Sequence, residues 1–182
     1  MDDFAFVVRP ATPDDAAQIA RVYISSWHDT YAGLLPAQLL CAMTEKGQAA
    51  RWRATILAHG RERVLIAEHA EAGIVGMTSY GPARDGAGSY DGEVYTLYVD
   101  PCFTERGVGR ALISAAFADL RRRGYGAAIV WAHAGNPARF FYEAMGGRMI
   151  ARRMARVMGN AVPETGFGWD RLGLEERASF QG

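Results

Sequence analysis

One stretch near the middle of the chain most constrains the fold, because a strand, a glycine turn and a helix follow one another closely there. The run EVYTLYV, residues 93–99, is rich in β-branched and aromatic residues. The turn RGVGR comes next, and apolar residues then recur at helical spacing from Val108 toward Gly124, a residue typical of helix ends. This order predicts an α/β domain in which a helix N-terminus lies beside a strand end.

The turn itself has the composition of a phosphate-binding cradle. The first backbone amides of a helix have no partner within the helix, and the helix dipole is positive at that end. Gly107 and Gly109 carry no Cβ, so phosphate oxygens can approach the main chain. A surface turn that binds nothing is the alternative. A Walker loop is excluded because it needs a lysine directly after its last glycine, and the sole lysine is Lys46.

The remaining pattern predicts further strands and helices on both sides of this unit. Thr12 is a helix N-cap, and the helix that follows should run toward Trp27 and give way to a loop with a short turn over SSWHDTYAGLLP. The predicted elements are a strand at 4–8, a helix at 38–57, strands at 63–68, 74–80, 127–132, 148–158 and 164–172, and a short helix from Asn136 to Ala144. The tail after Leu174 is expected to be frayed or lightly docked.

Alternation along residues 93–99 predicts which side chains share a face of the central strand. Period two groups Glu93, Tyr95, Leu97 and Val99 on one face, and it groups residues 94, 96 and 98 on the other. Both sets are largely apolar, as in a strand covered on its two faces.

Composition narrows the classes of partner. A chain of 182 residues suits one domain, 1–182, and 20 acidic against 20 basic residues give no overall field to attract nucleic acid or an anionic membrane. Cys41 and Cys102 show no ligand spacing, and the four histidines are not spaced as metal ligands, so no metal is expected. The absence of an apolar run of about 20 residues and the acidic N-terminus predict a cytoplasmic protein.

Two motifs resemble those of a known family. LYVDPCFTERGVGRAL, residues 97–112, and NPARFFYEAMGG, residues 136–147, are similar to the GNAT superfamily of acyl-CoA-dependent N-acetyltransferases. The resemblance implies an α/β (α+β) fold with a mixed, mostly antiparallel sheet that is flanked by helices and splayed to admit acetyl-CoA, the co-substrate. The residues that it assigns to this ligand are Leu97, Tyr98, Val99, Thr104, Glu105, Arg106, Gly107, Val108, Gly109, Arg110 and Asn136. Thr104 stands where the family usually has Gln or Arg, which leaves Arg106 or Arg110 to supply the charge.

The resemblance also implies catalytic and substrate-lining residues. Tyr142 matches the tyrosine that protonates the departing sulfur, and Glu93 resembles the acid that acts as base through water. From the residues alone, Tyr142 could equally be core, Glu93 a solvated carboxylate and Asn136 a helix cap. The side chains expected to border the acceptor are Trp27, His28, Tyr31, Leu34 and Tyr95, and Tyr80 and Tyr90 are further candidates.

The function implied is transfer of an acetyl group from acetyl-CoA to a primary amine of a small molecule or peptide by direct attack. No nucleic-acid or membrane partner is expected, and the oligomeric state stays open, with a homodimer among the options. Two other classes compete with this reading. An acyl-CoA sensor would keep the cradle and lack turnover, whereas an interaction protein would bind no coenzyme A.

Overall fold

The polypeptide folds around one seven-stranded sheet with helices on both faces. The computed structural model describes residues 5–84, 86–157 and 159–172. The strands are β1 (Phe6–Pro10), β2 (Arg63–His69), β3 (Gly73–Pro82), β4 (Gly92–Val99), β5 (Ala128–His133), β6 (Arg148–Val157) and β7 (Asn160–Trp169), and the helices are α1 (Ala16–Tyr31), α2 (Ala37–Cys41), α3 (Glu45–Leu57), α4 (Val108–Arg122) and α5 (Ala138–Ala144). The sheet order is β1-β2-β3-β4-β5-β7-β6, and only β4 and β5 run parallel. The mixed, mostly antiparallel sheet predicted from the sequence is confirmed.

Alternating side chains of the central strands build two cores. Val64 and Ile66 of β2 pack with α1 and α3 on one face, whereas Leu65 and Ala67 pack with α4 on the other. Helix α4 approaches the sheet closely at Gly76, where an added Cβ would lie within 2.8–2.9 Å of side-chain atoms from α4. This close packing sets the N-terminus of α4 beside the end of β4.

A β-bulge in β4 changes the predicted faces of the central strand. Ser79 of β3 pairs with Thr96 and Tyr80 pairs with Val94, so Tyr95 is an extra residue in β4. As a result, Val94 and Leu97 lie in the same core, although they are three positions apart. The prediction that Glu93 and Tyr95 share a face with Leu97 was therefore wrong, because strict alternation does not hold across a bulge.

The sheet splits between its two parallel strands. β4 pairs with β5 only from Gly92 to Val94, against Ala128 to Val130. Beyond these pairs the two strands diverge, which leaves the far half of β4 without a neighbour on that side. This is the splay that the family resemblance implied, and it opens a cleft beside Val99.

The helices before β2 differ from the sequence prediction in two places. The first part of the segment predicted as a loop, residues 25–31, continues α1 to Tyr31, because the Trp27 and Tyr31 rings pack at 4.2 Å, one helical turn apart. The helix predicted at 38–57 is two helices, since Thr44 accepts a hydrogen bond from Gly47 and so begins α3 as its N-cap. β7 also begins earlier than predicted, at Asn160, where it pairs with β6. The tail after Leu174 lies outside the described residues.

The start of α1 is held by a partly buried ion pair that should give an acid-sensitive stability. Asp15 accepts hydrogen bonds of 2.8 and 3.0 Å from Arg9, which hold its pKa at about 2. Because the folded pKa lies below the unfolded value of about 3.9, the pair contributes about 2 kcal/mol above pH 4 and loses it as the pH falls toward 2. In urea unfolding, the difference in the free energy of unfolding between wild type and Asp15→Asn should shrink as the pH falls from 4 toward 2. Asp14→Asn, at a position whose side chain is 98% exposed, is the matched control and should show no such difference.

Candidate active site

A cleft of about 500 Å³ opens where β4 leaves β5 and α4 begins. Most of the residues predicted to hold coenzyme A come together here. The lining residues are Ser26, Asp29, Thr30, Leu97, Tyr98, Val99, Phe103, Thr104, Glu105, Gly107, Val108, Gly109, Arg110, Ala138, Phe141 and Tyr142. The cleft therefore combines an apolar floor with the N-terminus of a long helix.

The turn before α4 presents backbone amides to this cleft. Gly107 is the N-cap with φ of 81°, and Glu105 also has a positive φ, 61°. In the described ranges, no acceptor takes a hydrogen bond from the amides of residues 107–110. Donors converging at a positive helix end are suited to a diphosphate, so the residues present fit coenzyme A. The Thr104 hydroxyl donates to the Pro101 carbonyl instead of facing a ligand.

Ser26 is a cleft residue that sequence reasoning missed. Its hydroxyl donates a 2.7 Å hydrogen bond to the Val99 carbonyl at the end of β4. Because the segment from Ser25 to Tyr31 was predicted as loop, its polar side chains were not placed against β4. The helical spacing of Tyr23, Ser26 and Trp27, all buried, was the signal that could have found them.

Tyr142 lies on α5 at the inner wall of the cleft and is 6% exposed. Its ring contacts those of Phe141 and Phe167, each at a centroid distance of 5.5 Å. Burial raises the pKa of Tyr142, so the phenol stays protonated at neutral pH. Among the described residues, no group accepts a hydrogen bond from its hydroxyl. The protonated phenol thus lies buried at the edge of a ligand-sized space.

A second cavity, of about 440 Å³, lies on the α1 side of the sheet and shares Tyr98 with the first. We call it the acceptor cavity. Six aromatic side chains and several charged groups form its wall: the lining residues are Tyr23, Trp27, Tyr31, Leu35, Arg51, Glu62, Arg84, Tyr95, Thr96, Tyr98, Trp131, His133, Arg156, Val157, Val162 and Glu164. Of the predicted acceptor-lining residues, it brings together Trp27, Tyr31 and Tyr95.

Glu93 is fully buried and does not line the acceptor cavity. Arg84 occupies both of its carboxylate oxygens, through side-chain bonds of 2.5 and 3.0 Å and a backbone bond of 2.8 Å. The Arg84 guanidinium in turn lies 4.4 Å from the centroid of the Tyr95 ring. In this arrangement Glu93 orients Arg84, and its role as a base stays a prediction that requires Arg84 to move.

Several other candidates have different positions in the fold. His28 lines neither cavity; its Nε2 lies 2.8 Å from the Leu40 carbonyl and links α1 to α2. Tyr80 lies on the α4 side, where its hydroxyl donates to Asp119, and Tyr90 donates to Asp170. The Asn136 side chain accepts a hydrogen bond from the Ala138 amide at the start of α5. Leu34 also lies outside the lining of both cavities.

Within the described ranges, no group of three or more His, Cys, Asp or Glu residues is arranged to hold a metal ion. None of the described helices combines the length and the apolar character needed to span a bilayer.

The chain is similar to proteins of one family over most of its length. The model of the acetyltransferase (GNAT) family matches residues 18–147. The uncharacterised N-acetyltransferase YuaI of Bacillus subtilis (strain 168) is 30% identical over 165 residues, which are 91% of this chain and 93% of that protein.

Solved structures share the fold at low sequence identity. The PaiA N-acetyltransferase of Thermoplasma acidophilum, in complex with coenzyme A, has a TM-score of 0.68 at 17% identity, over 88% of this chain and 98% of its own. YncA of Salmonella typhimurium, a putative acetyltransferase with its cofactor acetyl-CoA, has a TM-score of 0.64 at 24% identity, over 96% and 97%. Since the family model covers more than half of the sequence, the chain belongs to the acetyltransferase (GNAT) family and is an acyltransferase.

Proposed function

We propose that this enzyme transfers the acetyl group of acetyl-CoA to a primary amine of a small molecule or peptide by direct attack. One observation carries the proposal: the acceptor cavity and the cleft beside α4 meet at a common residue, Tyr98. In that cleft the backbone amides of residues 107–110 have no hydrogen-bond acceptor among the described residues. Two ligands bound in the two spaces would approach each other at Tyr98, as a direct transfer requires.

Some residues of the chain bind acetyl-CoA, and Tyr142 transfers a proton. Bound acetyl-CoA supplies an electrophilic thioester carbonyl and a thiolate leaving group. The amides of Gly107 to Arg110 hold the diphosphate, with the exposed Arg110 side chain as the nearby cation. Residues 97–99 of β4 pair with β3 on one side and have no described strand on the other. That open side receives the pantetheine arm as an added strand would be received. Tyr142 donates the proton to the sulfur.

The alternative, an acyl-CoA sensor without turnover, is separated from an enzyme by two measurements on the full chain. Calorimetry with acetyl-CoA tests the cleft, and thiol release with a panel of amines, amino acids and peptides tests the transfer. We expect micromolar binding, with Kd of about 1–100 μM, and thiol release with at least one class of amine. Binding without release from any amine would favour the sensor, and an absence of binding would refute both readings.

A further inference from the structure

Among the described residues, three carboxylates surround the acceptor cavity, and they differ in what they can contact. Glu62 and Glu164 line the cavity, whereas Glu93 is buried behind it and bound by Arg84. Glu62 directly precedes β2, and its charge acts on Arg84 and Tyr95. Glu62 therefore lies at the Arg84 end of the cavity. Glu164 has different neighbours.

Glu164 lines the acceptor cavity beside the end of β5, where β5 has diverged from β4. The cleft that Tyr142 lines, here called the cofactor cleft, opens at the same divergence. Glu164 is directly opposite His133 of β5, whose ring lies 6.1 Å from that of Tyr31. Burial raises the pKa of Tyr31, which packs in the same apolar cluster as Tyr98, and the charge of Glu164 adds to the rise. Because Tyr98 lines both spaces, Glu164 is the lining carboxylate close to the point where they meet.

One oxygen of Glu164 remains available to a ligand. Arg153 of β6 donates to its Oε2 at 2.7 Å, and the side chain is 17% exposed. In the described part of the chain, no donor contacts Oε1. A carboxylate that is oriented by an arginine and open on one side can accept a charge-assisted hydrogen bond from an ammonium group.

His133, the other titratable group at this end, is not arranged to accept a proton from a ligand. Its Nδ1 accepts a 2.9 Å hydrogen bond from the Gly135 amide. A neutral imidazole bonded in this way carries its proton on Nε2, so the free nitrogen is a donor. Burial raises the pKa of Tyr31, Tyr95 and Tyr98, so these cavity residues stay protonated at neutral pH and are also donors. Of the described carboxylates that line the acceptor cavity, Glu164 is thus the one placed to accept a proton at this end.

Resting on the proposed function, we propose that Glu164 binds the ammonium group of the acceptor and takes up the proton that it loses. The ammonium gives one proton to the Glu164 carboxylate, which passes it to water, and the freed amine nitrogen attacks the thioester carbonyl. The C–N bond forms and the C–S bond breaks. The second proton leaves the nitrogen as the amide forms and replaces the one that Tyr142 gives to sulfur. The products are the acetamide, free coenzyme A and one proton.

Steady-state kinetics of Glu164→Gln against the best amine of the screen test this assignment. We expect kcat/KM at pH 7 to fall by at least ~100-fold while acetyl-CoA binding by calorimetry stays unchanged. As the pH rises, the loss in kcat/KM should shrink by about tenfold per pH unit, because a growing fraction of the amine is already uncharged when it binds. This recovery should end at the pKa of the amine. The difference between the pH profiles of the two proteins isolates Glu164, because both proteins keep the other charged and titratable groups near it. Among the described residues these groups are Arg153, His133, Tyr31 and Arg156.

Two companion variants separate this role from a structural one. Arg153→Gln removes the partner of Glu164 and should keep activity within about tenfold of wild type, with no recovery at high pH. Glu93→Gln tests the other candidate base. If Arg153→Gln reproduced the loss and its recovery, or if Glu93→Gln recovered with pH and Glu164→Gln did not, the assignment would be overturned.

The same measurements distinguish failure of this inference from failure of the proposed function. An active wild type with an unimpaired Glu164→Gln variant refutes only the role of Glu164. A wild type that binds acetyl-CoA and acetylates no amine refutes the transferase function, and the role of Glu164 with it.

Discussion

The Gly109→Asp variant is expected to lose acetyl-CoA binding while keeping its fold. A Cβ at this position would lie 3.5–3.7 Å from Phe141 and Val99, which is ordinary contact, so the protein can accommodate it. Both neighbours line the cofactor cleft, and the new carboxylate would face the amides intended for the diphosphate. Repulsion between unit charges about 5 Å apart at an effective dielectric near 20 is ~3 kcal/mol, or about 100-fold in Kd.

The thermal stability of the Gly109→Asp variant should not fall with its affinity for acetyl-CoA. An acid in the first turn of a helix interacts favourably with the helix dipole, by about 0.3–1 kcal/mol. Thermal unfolding of the free protein should therefore be unchanged or shifted slightly upward. Gly109→Asn is the matched control, since it adds nearly the same volume without charge and should weaken binding far less. Equal binding by wild type and Gly109→Asp would mean that the diphosphate does not lie at this helix end.

Local patterns in the sequence were sufficient to predict the framework around this helix. The strand, turn and helix from Glu93 to Gly124 appear where the pattern put them, because propensities, glycine positions and apolar periodicity agree over that stretch. The splay between β4 and β5 followed from the family resemblance. The residues assigned to the cleft remain predictions about binding, although all of them but Arg106 and Asn136 line one space.

The acceptor cavity was harder to predict because it is built from long-range pairings. Glu164, His133 and Arg153 meet only through the registers of β5, β7 and β6, and no local pattern encodes those registers. The bulge at Tyr95 likewise depends on the partner strand β3. Helix α1 was cut short in the prediction because the aromatic residues and Gly33 of SSWHDTYAGLLP indicated a loop. In the structure Trp27 instead packs against the rings of Tyr23 and Tyr31, each one helical turn away, and this packing continues the helix.

The Tyr142→Phe variant should lose at least ~100-fold in kcat with almost no change in stability. The substitution removes one hydroxyl that, among the described residues, has no hydrogen-bond acceptor, while the ring keeps its contacts with Phe141 and Phe167. Removing a buried polar group without a partner carries no penalty for a broken bond. KM for acetyl-CoA should change little, since the proton is needed at the sulfur only as the thioester breaks. Single-turnover kinetics would assign the loss to the chemical step.

Tyr80→Phe gives the reciprocal control from a buried tyrosine of strand β3. Tyr80 is 2% exposed, and its hydroxyl donates to Asp119 at 2.9 Å, far along α4 from the cofactor cleft. Its loss should lower the free energy of unfolding by about 1.5–3 kcal/mol, the range for a hydrogen bond to a charged group, and leave kcat unchanged. If Tyr142→Phe instead lost stability and kept its activity, Tyr142 would be a core residue and the proton donor would have to be sought elsewhere in the cleft.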